Sequence, residues 1–212
     1  DTLHLRPDPC GTAGACDTVM LMNNSARTVT VSGITVDPVG SFIIGSSVSF
    51  PLTLNTGQSQ IVIVCTDGTF TGTRSGTLHV ASNDPGTPDL TLPLYAERDS
   101  VRLAARDESL DFGVLAVCHN NATLTTFIDN TGTVPDTFDV IRAPAPPFSL
   151  GGAFPAGVLS GSAFALDVGF SPTNYGSFSD TIVFRERRCG RELMIVLRGV
   201  RESWNARLAP SP

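Results

Sequence analysis

The chain has 212 residues and a net charge of −6, with 41% apolar and 16% charged residues. That balance excludes a disordered chain. Its acidity argues against nucleic acid as the main partner, because phosphate binding needs a basic surface.

Glycine (20) and proline (15) are abundant, as in chains of many short strands joined by tight turns. In the first half, alternation and turn residues predict strands near 17–22, 28–36, 41–44, 48–54, 60–65, 75–81 and 90–95. The second half is cleaner. Leu110-Asp111-Phe112-Gly113 puts apolar residues at alternate positions, as a first strand should. Strands follow at 122–128 and 137–141, separated by Asn130-Thr131-Gly132, where Asn and Gly tolerate positive φ. The prolines of 143–147 donate no ladder hydrogen bonds, so this segment is an edge or a crossover. Phe148-Ser149-Leu150 is a short strand. Phe164, Leu166, Val168 and Phe170 share one face of the next, and 180–184 and 192–197 form a final hairpin.

The halves repeat one another about 105 residues apart. Asn23-Asn24-Ser25, Phe42, Leu54-Asn55-Thr56-Gly57 and Gly72 match Asn130-Thr131-Gly132, Phe148, Leu159-Ser160-Gly161 and Gly176. A unit of that length is a whole domain rather than a solenoid repeat. The predicted fold is all-β: two tandem immunoglobulin-like β-sandwich domains of about seven strands each. They span 1–98 and 99–204, with 205–212 as a linker or tail. The first residues, Asp1-Thr2-Leu3-His4-Leu5-Arg6, hold no apolar signal-peptide core. The chain therefore reads as a mature product or an excised piece of something longer. No run approaches the roughly 18 apolar residues of a membrane helix.

Five cysteines are present and none lies in a Cys-x-x-Cys pair. Structural disulfides in an oxidising compartment explain them better than zinc, which wants His and Cys clustered. The turns that follow strands one, three and five share one end of a sandwich. Cys16–Cys65 or Cys10–Cys65 is then a reasonable bridge, with Cys10–Cys16 as a rival. By the same count Cys118 and Cys189 fall at opposite ends and pair only under a different strand order. The odd number leaves one thiol free or paired outside the chain.

The second half resembles the immunoglobulin-like domains of the ASH/Hydin type, which occur in bacterial "choice-of-anchor D" surface proteins. Leu110-Asp111-Phe112-Gly113, Asn130-Thr131-Gly132, Pro147-Phe148, Val168-Gly169-Phe170-Ser171-Pro172, Gly176 and Leu197-Arg198-Gly199 carry the resemblance in the family's order. The first half diverges: it has no Leu-Asp-Phe-Gly opening, and Cys65 and Thr66-Asp67 replace the phenylalanine and Ser-Pro. Its first strand is then altered or comes from elsewhere. The resemblance implies a non-catalytic sandwich used in surface display, adhesion or scaffolding, with eukaryotic relatives in cilia and centrosomes. It assigns no functional residues.

Few residues in the sequence point to chemistry. His4, His79 and His119 lie far apart, and no nucleophile elbow, metalloprotease motif or phosphate loop is present. Asp107-Glu108 with Asp111, Asn83-Asp84 and Asp67 read as solvated turns rather than calcium ligands. Asn23-Asn24-Ser25 and Asn121-Ala122-Thr123 fit the glycosylation pattern, although Asn23 also occupies a turn where Asn serves φ. All fourteen cations are arginine. Arg185, Arg187, Arg188 and Arg191 crowd one hairpin turn, which is a solvated turn or an anion-facing interface. Trp204, the sole tryptophan, caps the second core or anchors a neighbouring subunit.

No catalytic, cofactor or metal site is predicted. The expected role is a non-catalytic structural or interaction module of an extracytoplasmic surface protein or filament. It would act through protein packing and β-strand addition, with copies of itself or neighbouring domains as partners and with no nucleic acid and no membrane insertion. The alternatives are a carbohydrate- or protein-binding accessory of a larger secreted protein, and an intracellular ciliary or centrosomal scaffold. Exposed aromatics on one sheet would mark the first, and reduced thiols the second.

Overall fold

The structure is a computed structural model that describes residues 1–116 and 118–203. The chain divides into two compact units, Asp1–Ser100 and Val101–Pro212. Among the described residues the regular elements are all β-strands, seventeen in number.

The first unit contains β1 (Leu3–Leu5), β2 (Ala15–Met22), β3 (Val29–Asp37), β4 (Ile43–Ile44), β5 (Leu52–Leu54), β6 (Ser59–Thr66), β7 (Gly72–Ser82) and β8 (Asp89–Arg98). One sheet runs β1-β8-β7-β3-β5 and the other β2-β6-β4. The alternation in the sequence decides which faces meet. Val62 and Val64 of β6 and Leu78 and Val80 of β7 point inward and are buried. They pack with Leu5, Val31, Phe42 and Leu94. Each such side chain stabilises the unit by about 1.5–3 kcal/mol of apolar burial.

The second unit contains β9 (Leu103–Ala105), β10 (Ser109–Leu115), β11 (Ala122–Asn130), β12 (Asp136–Arg142), β13 (Phe148–Leu150), β14 (Ala156–Val158), β15 (Ala163–Phe170), β16 (Gly176–Glu186) and β17 (Glu192–Arg201). Its sheets are β10-β17-β16-β12-β14 and β13-β15-β11-β9. Phenylalanines fill the interior. Phe138 meets Phe184 edge-on at 5.4 Å, and Phe148 stacks on Phe170 at 4.9 Å. The proline-rich segment 143–147 carries the chain from β12 in one sheet to β13 in the other.

Three points differ from the sequence reading. The first unit does have an opening strand: Leu3-His4-Leu5 pairs parallel with Leu94-Tyr95-Ala96, as Leu110 pairs with Leu197 in the second. Its three residues are too short for alternation to register. Two further strands, β9 and β14, escaped for the same reason. The turn asparagines also do a different job. No non-glycine residue has positive φ among the described residues, so neither Asn23 nor Asn130 serves φ. The left-handed positions fall to glycines such as Gly57 (φ 77°) and Gly161 (φ 72°), which lie in the turns that cross between the sheets and donate their N–H groups to the carbonyls of those asparagines.

Candidate functional site

Asn23 and Asn130 fix the correspondence between the units. The Asn23 amide donates to the Arg27 and Leu54 carbonyls at 2.7 and 2.8 Å. Asn130 donates to those of Val134 and Val158 at 2.9 and 3.0 Å. Each side-chain oxygen accepts a backbone N–H two residues on, from Ser25 or Gly132. Each backbone carbonyl accepts from a turn glycine, Gly57 or Gly161. Residues 20–23, at the end of β2 and just beyond it, therefore stand where 127–130 of β11 stand. In the other sheet Gly72 opposite Arg98 matches Gly176 opposite Arg201, which places Leu90 and Leu92 at Leu193 and Ile195.

In the second unit β9 pairs antiparallel along β11, with Ala105 opposite Ile128, Ala104 opposite Asp129 and Leu103 opposite Asn130. The Arg106 N–H donates to the Phe127 carbonyl at 2.8 Å, and the Thr131 N–H to that of Arg102 at 2.9 Å. Val101 and Leu103 are buried and Ala105 packs on the core. In the first unit β2 is hydrogen-bonded to β6 alone among the described strands, and it forms the edge of its sheet. Because the Asn23 N–H donates to Gln58, the adjacent N–H groups of Met22 and Asn24 face away from β6.

The edge lies beside apolar clefts. One, of about 220 Å³, is lined by Val19, Leu21, Val62, Leu78, Leu90 and Leu92. Another of about 220 Å³ continues past Leu21, Val80 and Leu90 to Asn24 and Asp84. Burial tracks the missing cover. Ile128 and Ile195 are fully buried in the second unit, whereas Leu21 and Leu92 are only half-buried and Leu90 is 47% exposed.

The outer faces of the two sheets also differ. On β11 and β15 it is polar: Thr125 donates to Asp167 at 2.6 Å, and Arg106 covers Phe127 and binds Asp129 at 2.5 Å. On β2, β6 and β4 the outward residues include Met20, Met22, Ile61 and Ile43, all exposed. Met20 and Ile61 are direct cross-strand neighbours and are 59% and 55% exposed. The Cys16–Cys65 disulfide lies on the same face, with the two residues directly opposite and their Cα atoms 4.0 Å apart. It ties the edge strand to β6 and excludes the Cys10–Cys65 and Cys10–Cys16 bridges. Cys118 is an exposed free thiol in the turn after β10.

The remaining candidates lie on other elements. Cys10 precedes β2, and its N–H bonds to Asp8 at 2.9 Å. Cys189 sits in the β16–β17 turn among the arginines. Arg185 binds Glu192 at 2.6 Å, Arg187 holds Asp139 through two bonds of 2.6 and 2.7 Å, and Arg191 donates to the Val101 carbonyl. Arg188 reaches the Pro135 carbonyl. The buried Glu186 organises this turn by accepting the N–H groups of Arg188, Cys189 and Arg191. Burial alone would raise the Glu186 pKa. The Cys189 N–H, the neighbouring Asp136 carboxyl and the two other amides outweigh burial and hold it below the usual range. Burial, and then the neighbouring Glu186, push the Asp136 pKa up. Trp204 lies outside the described residues. Among the described residues no three His, Cys, Asp or Glu side chains are grouped to hold a metal ion.

No protein-family model matches the chain, and no curated protein matches it. Among solved structures it is similar to mouse clustered PcdhgC3 EC1-3, at 7% identity and a TM-score of 0.56, over 95% of this chain and 66% of that one. It is similar to protocadherin gamma C5 EC1-3 at 14% identity and a TM-score of 0.54, over 94% and 65% of the two chains. An ASH/PapD-like domain of human CEP192 matches 50% of this chain and 87% of its own length, at 11% identity and a TM-score of 0.38. That last likeness is too loose to place the chain in a family. The two protocadherin matches establish a fold: tandem all-β domains of cadherin and immunoglobulin-like architecture.

Proposed function

We propose that this chain is a non-catalytic structural and interaction module of an extracytoplasmic protein, such as a surface protein or filament of the choice-of-anchor D kind. It works by packing against copies of itself or neighbouring domains, and by strand addition at a sheet edge. The observation that carries this reading is the outer face of β2, β6 and β4. Apolar side chains stand there in contiguous exposure, where the second unit has hydrogen-bonded polar residues. Contiguous apolar patches mark interaction surfaces, and methionines suit adaptable contacts. The Cys16–Cys65 disulfide supports an oxidising compartment.

Sedimentation velocity of the full chain over a concentration series tests the reading. Wild type is expected to associate as concentration rises, and the Met20→Asp, Ile61→Asp double variant to remain monomeric. A monodisperse monomer that binds a carbohydrate would replace this reading with the accessory one.

A further inference from the structure

The two units differ by one strand. In the second, β9 closes the edge of β11; in the first, the matching edge of β2 has no such strand among the described residues. We propose that the β2 edge is a docking site for an extended segment of a partner polypeptide, which adds antiparallel to residues 20–24 and completes the first sandwich as β9 completes the second. This rests on the interaction-module reading and specifies the partner's chemistry.

The register comes from the paired repeats. A partner residue in the place of Ala104 lies opposite Met22 and exchanges both backbone hydrogen bonds with it. The Asn24 N–H then donates to the carbonyl at the Arg102 place, and the Met20 carbonyl accepts from the N–H at the Arg106 place. Inward positions correspond to Val101, Leu103 and Ala105. They enter the cleft over Leu21, Leu90 and Leu92. These positions want apolar residues, with a small one deepest along β2.

The outward position is where the partner must depart from β9. Arg106 pairs with Asp129 and lies 4.3 Å over the Phe127 ring. Met22 and Met20 replace those two residues at the first edge, so a guanidinium would find no carboxylate and would cover methionine. The partner residue there is apolar. The strand is therefore recognised by apolar side chains on both of its faces at this end, flanking a short alternating apolar run.

The test uses the full chain and two synthetic peptides: residues 101–106 (Val-Arg-Leu-Ala-Ala-Arg) and the same peptide with Arg106→Leu. Amide exchange and methyl shifts are followed by NMR. Both peptides are expected to bind saturably, to protect the Met22 and Asn24 amides and to shift Leu21 and Leu90. The leucine peptide should bind roughly tenfold more tightly, the worth of one buried leucine side chain. A second variant carries residues 101–109 grafted directly before Leu3 in place of Asp1 and Thr2, which matches Leu3 to Leu110. That graft should raise the melting temperature of the first unit and abolish peptide binding.

Absence of saturable binding, protection at another edge, or undiminished binding to the grafted chain would each overturn the proposal. Preference for the arginine peptide would overturn the partner chemistry. None of these outcomes moves the self-association read through Met20 and Ile61, so the two readings fail separately.

Discussion

Asn23 and Asn130 make the same set of hydrogen bonds in two units whose surrounding sequences have diverged. Each buried amide ties the end of one strand to its own turn and to a strand of the opposite sheet. The clamp explains why an Asn recurs at this spacing when neither residue has positive φ. Both residues are about 95% buried or more, so truncation strands the Leu54 and Val158 carbonyls, whose bonds to these amides are buried. Asn23→Ala and Asn130→Ala should each cost roughly 2–3 kcal/mol, read as a fall in the urea midpoint at unchanged slope. The buried Asn23 is also a poor glycosylation acceptor, and mass spectrometry should find it unmodified.

The Cys16–Cys65 bridge closes a separation of 49 residues and fixes an edge strand that has a single hydrogen-bonded neighbour. Chain-entropy arguments assign such a loop roughly 4 kcal/mol. The Cys16→Ser, Cys65→Ser double variant should lose roughly 2–4 kcal/mol in the first unit. Without reductant or denaturant, iodoacetamide should label Cys118 and leave Cys16 and Cys65 untouched.

The Asp136–Glu186 pair should make the second unit's stability depend on pH in two opposite ways. Asp136 is raised by burial and then by Glu186, so its contribution is full below the ordinary carboxylate range and is lost as pH rises through its higher folded value. Glu186 is held low by backbone amides and Asp136 against burial, so its contribution is present above the ordinary range and lost as pH falls through its lower folded value. Asp136→Asn keeps the shape of the side chain and removes its titration. It should flatten the loss on the high-pH side and leave the acid-side loss. Glu186→Ala, which orphans three amides, should cost roughly 3 kcal/mol at neutral pH. Urea midpoints across the pH range check all three statements.

Asp67 accepts two bonds from Thr69 and one from Arg74 at 2.6 Å. The Thr69 hydroxyl, then Arg74 and the Thr69 amide, hold its pKa well below the usual carboxylate range. Its stabilisation is present above the ordinary value and lost as pH falls toward the depressed one. Asp67→Asn should lower the melting temperature at neutral pH, with the gap to wild type closing in strong acid.

The period of two carried most of this fold in the sequence. Runs such as Phe164, Leu166, Val168 and Phe170 have one feasible burial pattern, and the repeated turn residues set the two units apart. What escaped was short or depended on register. Leu103-Ala104-Ala105 is three residues between charged neighbours, and its importance lies in what it covers. Cys10, Cys16 and Cys65 left three pairings open, because a one-residue slip moves a cysteine to the other face of its strand. The candidate site did leave a trace. Met20 and Met22 occupy outward positions where the matching residues of the other half, Phe127 and Asp129, are covered and paired by Arg106. That contrast becomes visible once Asn23 is aligned with Asn130.

Hydrogen exchange of the free full chain tests the open edge most directly. The Met22 and Asn24 amides should exchange close to the rate of unstructured backbone, while those of Asp129 and Thr131, at the matching places beneath β9, should be strongly protected. Equal protection of the two pairs would contradict the account, because it would mean that the first unit's edge is already closed.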